Sequence, residues 1–316
     1  MTALADALEE YLAIRQGLGV HLRVTAGLLR RFITFVDRAG SEMIITSDLA
    51  LRWAMESGEV QPATWAWRLG MVRRFAIWRR TTDPRTEVPP AGLLPHRFRR
   101  TRPYLYTEIE IRRLLTAARA LPSPRGLRGV TYATVFGLLA ASGLRLSEAL
   151  HLDDPDVDLA TGLLTIRRTK FGKSRIVPVH PSTTDALRRY VEARDRLVPR
   201  RHTPAFFVSE HGRRLTDCNT RHTFAVVSRQ IGLRAPTPGR RHGRGPRLHD
   251  MRHRFAASTL VAWYRAGRDV ERDLPALATY LGHVHVNDTY WYLEAVPELL
   301  ALAAARVADS PAECVP

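Results

Sequence analysis

The chain has 316 residues, beyond the roughly 250 to 300 at which a single hydrophobic core stops growing, so two domains are expected. Hydrophobic residues at 45% and charged residues at 25% lie near the soluble globular average and exclude wholesale disorder and rod-like repeats. A formal charge of +17, from 48 basic against 31 acidic residues, points to a polyanionic partner, with nucleic acid first among the candidates.

Four helical patterns open the chain: residues 4–17, 24–39, 46–56 and 62–80, with Ser47-Asp48 and Gln61-Pro62 as starts and Gly40 and Gly58 as stops. They predict a small helical bundle over residues 1–80. Residues 81–103 hold Pro84, Pro89, Pro90, Pro95 and Pro103 among basic residues that include Arg99 and Arg100, which reads as an extended basic linker. A second domain, 104–316, begins with Thr107 and Glu110 in a capping-box pattern ahead of a helix to Ala120. Residues 129–150 form an apolar helical stretch interrupted at Ser142-Gly143, which puts Arg145 at a helix start. Free amides there attract anions and a guanidinium can grip two phosphate oxygens; the alternative is an ion pair of Arg145 with Glu148.

Residues 163–166 and 176–179 read as two strands joined by a tip carrying Lys170 and Lys173. These are the only lysines among the 48 basic residues. Drift toward arginine replaces lysine wherever charge suffices, whereas a step needing a donatable proton cannot use a guanidinium, whose pKa exceeds about 12. Gly172-Lys173-Ser174 is not a nucleotide-binding loop, because Arg167 stands where that motif needs glycine. Residues 234–247 read as a basic loop with Arg240, Arg241, Arg244 and Arg247. A helix from Leu248 then places His249, Arg252 and His253 on one face. Two histidines four apart echo a zinc-protease helix, but aspartate replaces its glutamate and Arg252 would set a fixed cation beside the metal. Next come a helix ending at Leu281-Gly282-His283, then Tyr292 and a final amphipathic pattern at 297–308. The fold class is therefore mainly α with a small β-hairpin or sheet (α+β).

The order Arg145, Lys170, His249, Arg252, His283, Tyr292 resembles the tyrosine recombinase family, also called the phage integrase family, over about residues 104–300. Five blocks carry the resemblance: Ser142 to Glu148, the Lys170 hairpin ending in Ile176-Val177-Pro178, His249-Asp250-x-Arg252-His253, Leu281-Gly282-His283, and Tyr292 nine residues after His283. Tyr290 is the rival nucleophile, and the spacing favours Tyr292. The resemblance implies a helical core-binding domain and a catalytic domain closing on duplex DNA.

Strand exchange requires a protein nucleophile that keeps the energy of the cut phosphodiester, a task suited to a tyrosine hydroxyl. Arg145 and Arg252 are expected to clamp the non-bridging oxygens, with His283 adding a hydrogen bond. Lys170 is expected to give a proton to the leaving 5′ oxygen, and His249 to help take one from Tyr292. Neither metal nor cofactor is needed. Lys173, Arg99, Arg100, Arg240, Arg241, Arg244 and Arg247 are expected to contact DNA.

The expected partners are duplex DNA with inverted-repeat core sites, three further copies of the chain in a homotetramer, and accessory or sister recombinases. No run nears the ~18 apolar residues of a membrane span, and the start carries Asp6, Glu9 and Glu10, so no membrane partner is expected. Cys218 and Cys314 form no disulfide framework and suit a cytoplasmic setting. Competing readings are an inactive DNA-binding regulator on the same scaffold, a metal enzyme using His249 and His253, and a nuclease using Asp153, Asp154, Asp156 and Asp158.

Overall fold

The computed structural model describes residues 3–20, 22–40, 44–56, 58, 60–96, 103–167, 174–237, 240–283, 285, 289–290, 298–302 and 304, leaving aside the side chains of 23, 237 and 240–244. It divides into two compact units, Met1–Thr101 and Arg102–Pro316. Helices dominate both, and the sheets are small.

In the first unit, α1 (Ala3–Gly17), α2 (Arg23–Arg38), α3 (Ser47–Met55) and α4 (Pro62–Arg79) enclose one core. Leu4, Leu8 and Leu12 of α1 meet Leu29, Phe32 and Val36 of α2 and Val72 and Phe75 of α4 because their helical spacing lines one face of each helix. Trp53 of α3 packs edge-on against Phe32 at 5.3 Å. Thr46, one residue before the Ser47-Asp48 start, is the cap of α3, its hydroxyl accepting the Leu49 amide at 3.2 Å. The proline-rich segment does not stand clear of the bundle: the Glu87 amide donates to the Ile45 carbonyl, its carboxylate accepts the Ser47 amide at 2.8 Å, and Val88 and Leu94 pack on the core. Between its turns the backbone has no ladder of its own, so it borrows partners from the loop before α3. Arg31, Arg38, Arg52 and Arg68 line a cleft of about 660 Å³ in this unit, beside Trp53 and Glu56.

The second unit is built around α6 (Leu127–Ser142), which is buried nearly all round through Leu127, Tyr132, Val135, Phe136, Leu138 and Leu139. Each such side chain contributes about 1.5–3 kcal/mol of apolar transfer free energy, making this helix the unit's centre. Around it lie α5 (Glu108–Arg119), short α7 (Leu146–Leu150), α8 (Pro181–Leu197), α9 (Asp217–Gln230), α10 (Leu248–Arg265) and α11 (Val270–Leu281). The Thr107–Glu110 capping box forms at the start of α5. Strands β1 (Val157–Asp158), β2 (Leu163–Ile166) and β3 (Arg175–Pro178) make an antiparallel sheet in that order, with Leu164 opposite Val177. Leu164, Ile166 and Val177 turn into the core, as a period of two requires.

One expectation is corrected here. The basic stretch read as a loop contains a two-stranded antiparallel hairpin, β4 (Ala235–Thr237) with β5 (Arg240–Arg244). Its proline and arginine content hides the strand signal. Pro236, which has no amide to give, lies between the paired Ala235 and Thr237, where the register shifts.

Candidate active site

The site is assembled at two helix ends. Helix α6 stops at Ser142 because Gly143 takes the left-handed conformation (φ 61°), and a Cβ there would come within 2.6 Å of Phe255. The chain then turns so that Arg145, with extended backbone, is the N-cap of α7. Glu148 reaches back to the Arg145 amide at 3.0 Å and binds its guanidinium Nη1 at 2.8 Å. Arg145 is thus ion-paired with Glu148 and stands at a helix start.

Arg252, one turn after His249 on α10, is 2% exposed. Its Nη1 donates to the Gly143 carbonyl at 2.8 Å and its Nη2 to the Leu281 carbonyl at 2.6 Å. Arg145 Nη2 donates to the next carbonyl along, that of Gly282, at 3.1 Å. The two arginines, 107 positions apart in sequence, thus take adjacent carbonyls at the C-terminus of α11. Helix C-termini carry about half a negative charge, and those of α6 and α11 hold these cations where they would otherwise repel each other.

Helix α11 ends at Gly282 in the left-handed conformation (φ 70°), and the His283 amide closes the turn on the Ala278 carbonyl at 2.9 Å. The His283 ring pairs through Nδ1 with the buried Thr289 hydroxyl at 2.7 Å.

His249 stacks edge-on with His253, ring centroids 4.7 Å apart. His249 keeps part of its surface in solvent, yet desolvation by the groups packed round it first, then the positive field of Arg252, with Arg247 and Arg145 adding to it, pushes its pKa down to about 4 against the pull of Asp250. His253 is likewise held at about 4, by burial and by His249. His249 is therefore neutral at pH 7 and able to accept a proton. Arg247 caps α10 against the buried Asp250 and gets its own carbonyl bonded by Tyr106. Among the expected DNA contacts, Arg240, Arg241 and Arg244 lie on β5. Lys170, Lys173, Arg99, Arg100 and Tyr292 fall outside the described residues.

These protonation states fix a pH dependence. An unfolded chain binds protons at His249 and His253 below about pH 6.5, whereas the folded chain does so only near 4. The share of stability linked to these rings, carried by half-buried His253 more than by solvent-exposed His249, is complete above pH 6.5 and lost as pH falls through 4. Glu148, where burial is outweighed by the hydrogen bonds from Arg175 and Arg145, titrates at about 2 and extends the loss downward from its usual range. Urea midpoints measured from pH 7 to 4 are expected to fall steadily; a flat profile between 6.5 and 4 contradicts histidines held neutral in the folded chain.

Two residues of the constellation were not singled out from sequence. Glu148 stands in the sequence as the end of the Ser142 block and the ion-pair alternative for Arg145, with no sign that it also binds Arg175 through both oxygens. Arg175 gave no signal, since a single arginine opening a short strand looks like a solvated charge. The four aspartates of the nuclease reading each have a partner of their own: Asp153 pairs with Arg214, Asp154 with Arg194 and Arg201, Asp156 with Arg167, and Asp158 closes a turn on Thr161. Among the described residues, no three His, Cys, Asp or Glu converge to hold a metal.

Two arginines tied to adjacent carbonyls at one helix end, with a neutral histidine one turn from the second, make an arrangement whose chemistry suits an oxyanion, on a mainly helical, two-unit scaffold. The chain belongs to the phage integrase family, whose sequence pattern matches residues 105–298. It is 50% identical to the integrase/recombinase y4rB of Sinorhizobium fredii over 97% of this chain and 98% of that protein. Solved structures share the fold: the Tn1549 transposon integrase in complex with transposon right-end DNA (TM-score 0.63, 15% identity, 96% of this chain and 98% of that one). Another is a lambda integrase tetramer bound to a Holliday junction (TM-score 0.60, 16% identity, 90% of this chain and 78% of that one). Among the described residues, no helix is long and apolar enough to cross a membrane.

Proposed function

We propose that this chain is a site-specific tyrosine recombinase that cuts and rejoins duplex DNA through a 3′-phosphotyrosyl intermediate, serving the integration or transposition of a mobile element. The observation that carries the reading is the convergence of Arg145 and Arg252 on adjacent carbonyls of α11. Two fixed guanidiniums can bind both non-bridging oxygens of a phosphodiester and stabilise the charge that grows on them during attack.

In the reaction, the Tyr292 oxygen attacks phosphorus as the bond to the 5′ oxygen breaks. Neutral His249 takes the phenolic proton and Lys170 supplies one to the departing 5′ oxygen. His283, held by Thr289, adds a hydrogen bond to the phosphate. A 5′ hydroxyl from another strand then reverses these steps and releases the tyrosine. The energy of the cut bond is retained in the ester, so no high-energy cofactor is consumed.

The arginine-lined cleft of the first unit seats DNA backbone, as do Lys173, Arg99, Arg100 and the arginines of residues 240–247. The target is a core site of inverted repeats occupied by four copies, with sister or accessory recombinases admitted where the site demands them, and the setting is the cytoplasm.

The test uses nicked suicide duplexes spanning the ends of the chain's own genetic element, in chelator, resolved on denaturing gels. Wild type is expected to give a covalent protein–DNA band and Tyr292→Phe none. Tight binding without a band turns the reading toward a DNA-binding regulator, and a band surviving in Tyr292→Phe moves the nucleophile elsewhere, with Tyr290 next to examine.

A further inference from the structure

Arg175 lies outside the phosphate-gripping pair, yet it touches the supports of each member. It opens β3, five positions after Lys170 in sequence. Its side chain is 10% exposed, so it is set behind the site. Nη1 and Nη2 bind the two oxygens of Glu148 at 3.1 and 2.9 Å, and Nε donates to the Tyr280 carbonyl at 2.8 Å. The next two carbonyls along α11, those of Leu281 and Gly282, are the ones that hold Arg252 and Arg145. Gly282 itself sits against this side chain: a Cβ there would lie 2.7 Å from Arg175 Nη1.

Glu148, 6% exposed, is thus one carboxylate shared by two guanidiniums, with Oε1 accepting from both. The sharing has an electrostatic consequence. A carboxylate facing Arg145 alone would direct its whole charge at that residue and compete with a phosphate for the same guanidinium. A carboxylate already satisfied by a second, buried arginine orients Arg145 while taking up only part of its charge.

We propose that Arg175 is a positioning residue for strand cleavage: by engaging Glu148 from behind it keeps the Arg145 guanidinium available to the scissile phosphate, and through Tyr280 it fixes the helix end that carries both arginines. The proposal rests on the recombinase reading for its reaction and on the ion-pair geometry for its mechanism. It makes Glu148 harmful once Arg175 is gone, which a merely structural ion pair does not.

The experiment compares wild type, Arg175→Ala, Arg175→Lys, Glu148→Gln and the double variant Arg175→Ala/Glu148→Gln. Three quantities are measured: single-turnover cleavage of pre-bound suicide duplex, duplex affinity, and inorganic phosphate binding followed by NMR of the His249 ring. Arg175→Ala is expected to cleave at least tenfold more slowly with duplex affinity within about threefold of wild type, and to bind phosphate at least fivefold more weakly. The double variant is expected to recover most of the phosphate-binding loss and only part of the cleavage loss, because the Tyr280 contact stays absent, without recovering thermal stability. Arg175→Lys keeps the charge but cannot span Glu148 and Tyr280 together, and should fall between wild type and alanine; it also serves if the alanine variant does not fold. A double variant no better than Arg175→Ala, or an Arg175→Ala protein that cleaves and binds phosphate like wild type, overturns the proposal. Absence of a wild-type adduct counts against the recombinase reading instead, while the phosphate titration still judges Arg175; a wild type that shows no phosphate response overturns the proposal.

Discussion

Arg252→Ala is expected to be the most damaging single change in the second unit, reducing covalent DNA capture by about 10³-fold or more and destabilising the fold at the same time. The chemical loss follows from removing a charged donor aimed at the oxygens where negative charge develops, which costs on the order of 10²–10³ in rate even for one neutral donor. The loss of stability has a separate cause. Arg252 is almost wholly buried and satisfies the carbonyls of Gly143 and Leu281. Truncation leaves both unpaired at about 1–3 kcal/mol each and opens a void between the ends of α6 and α11. Urea unfolding should register a decrease of about 2–6 kcal/mol, the sum over the two stranded carbonyls. Arg252→Lys should recover part of the stability and little of the cleavage, since an ammonium cannot span two carbonyls and a phosphate with fixed planar geometry. A variant that cleaves within tenfold of wild type removes Arg252 from the reaction.

Arg145→Ala should separate these two effects. Its side chain is 30% exposed, and Glu148 keeps both hydrogen bonds from Arg175 when it is removed, so no buried carboxylate is stranded. Unfolding is expected to shift by no more than about 1 kcal/mol, as for a partly exposed pair. Single-turnover cleavage is nevertheless expected to fall by about 10²–10³-fold, because half of the phosphate grip is gone. Equal losses of stability in the two variants would mean that Arg145 supports the fold instead of the phosphate.

What could be read from the chain was set by how local each signal is. Arg145, His249 and Arg252 are marked by a Ser-Gly turn before a helix and by spacing along a single helix, patterns contained in a few residues. The capping box at Thr107 and Glu110 is equally local. Arg175 is the opposite case: its partners are 27 and 105 positions away, at Glu148 and Tyr280, and no pattern around a lone arginine at a strand start encodes a meeting at that range. The β4–β5 hairpin lacked the apolar alternation that betrays β2 and β3, since Arg240 to Arg244 contains no apolar side chain apart from glycine's hydrogen. In the segment 81–96, proline content implied a break in the helices, and the described residues form turns at 81–82, 84–85 and 91–92 with no helix or strand. It gave no hint that Glu87 would bind the loop before α3, a contact settled by which unsatisfied amides lie nearby.

The end of α11 bears a load that neither arginine carries alone. Three consecutive carbonyls there, of Tyr280, Leu281 and Gly282, each receive a different guanidinium. Three cationic arms suspended from one peg move together: a small rotation of that last turn alters the aim of Arg145 and Arg252 in the same instant. Defects in the separate arms are then expected to combine less than additively, because the first to loosen the peg has already disturbed the others.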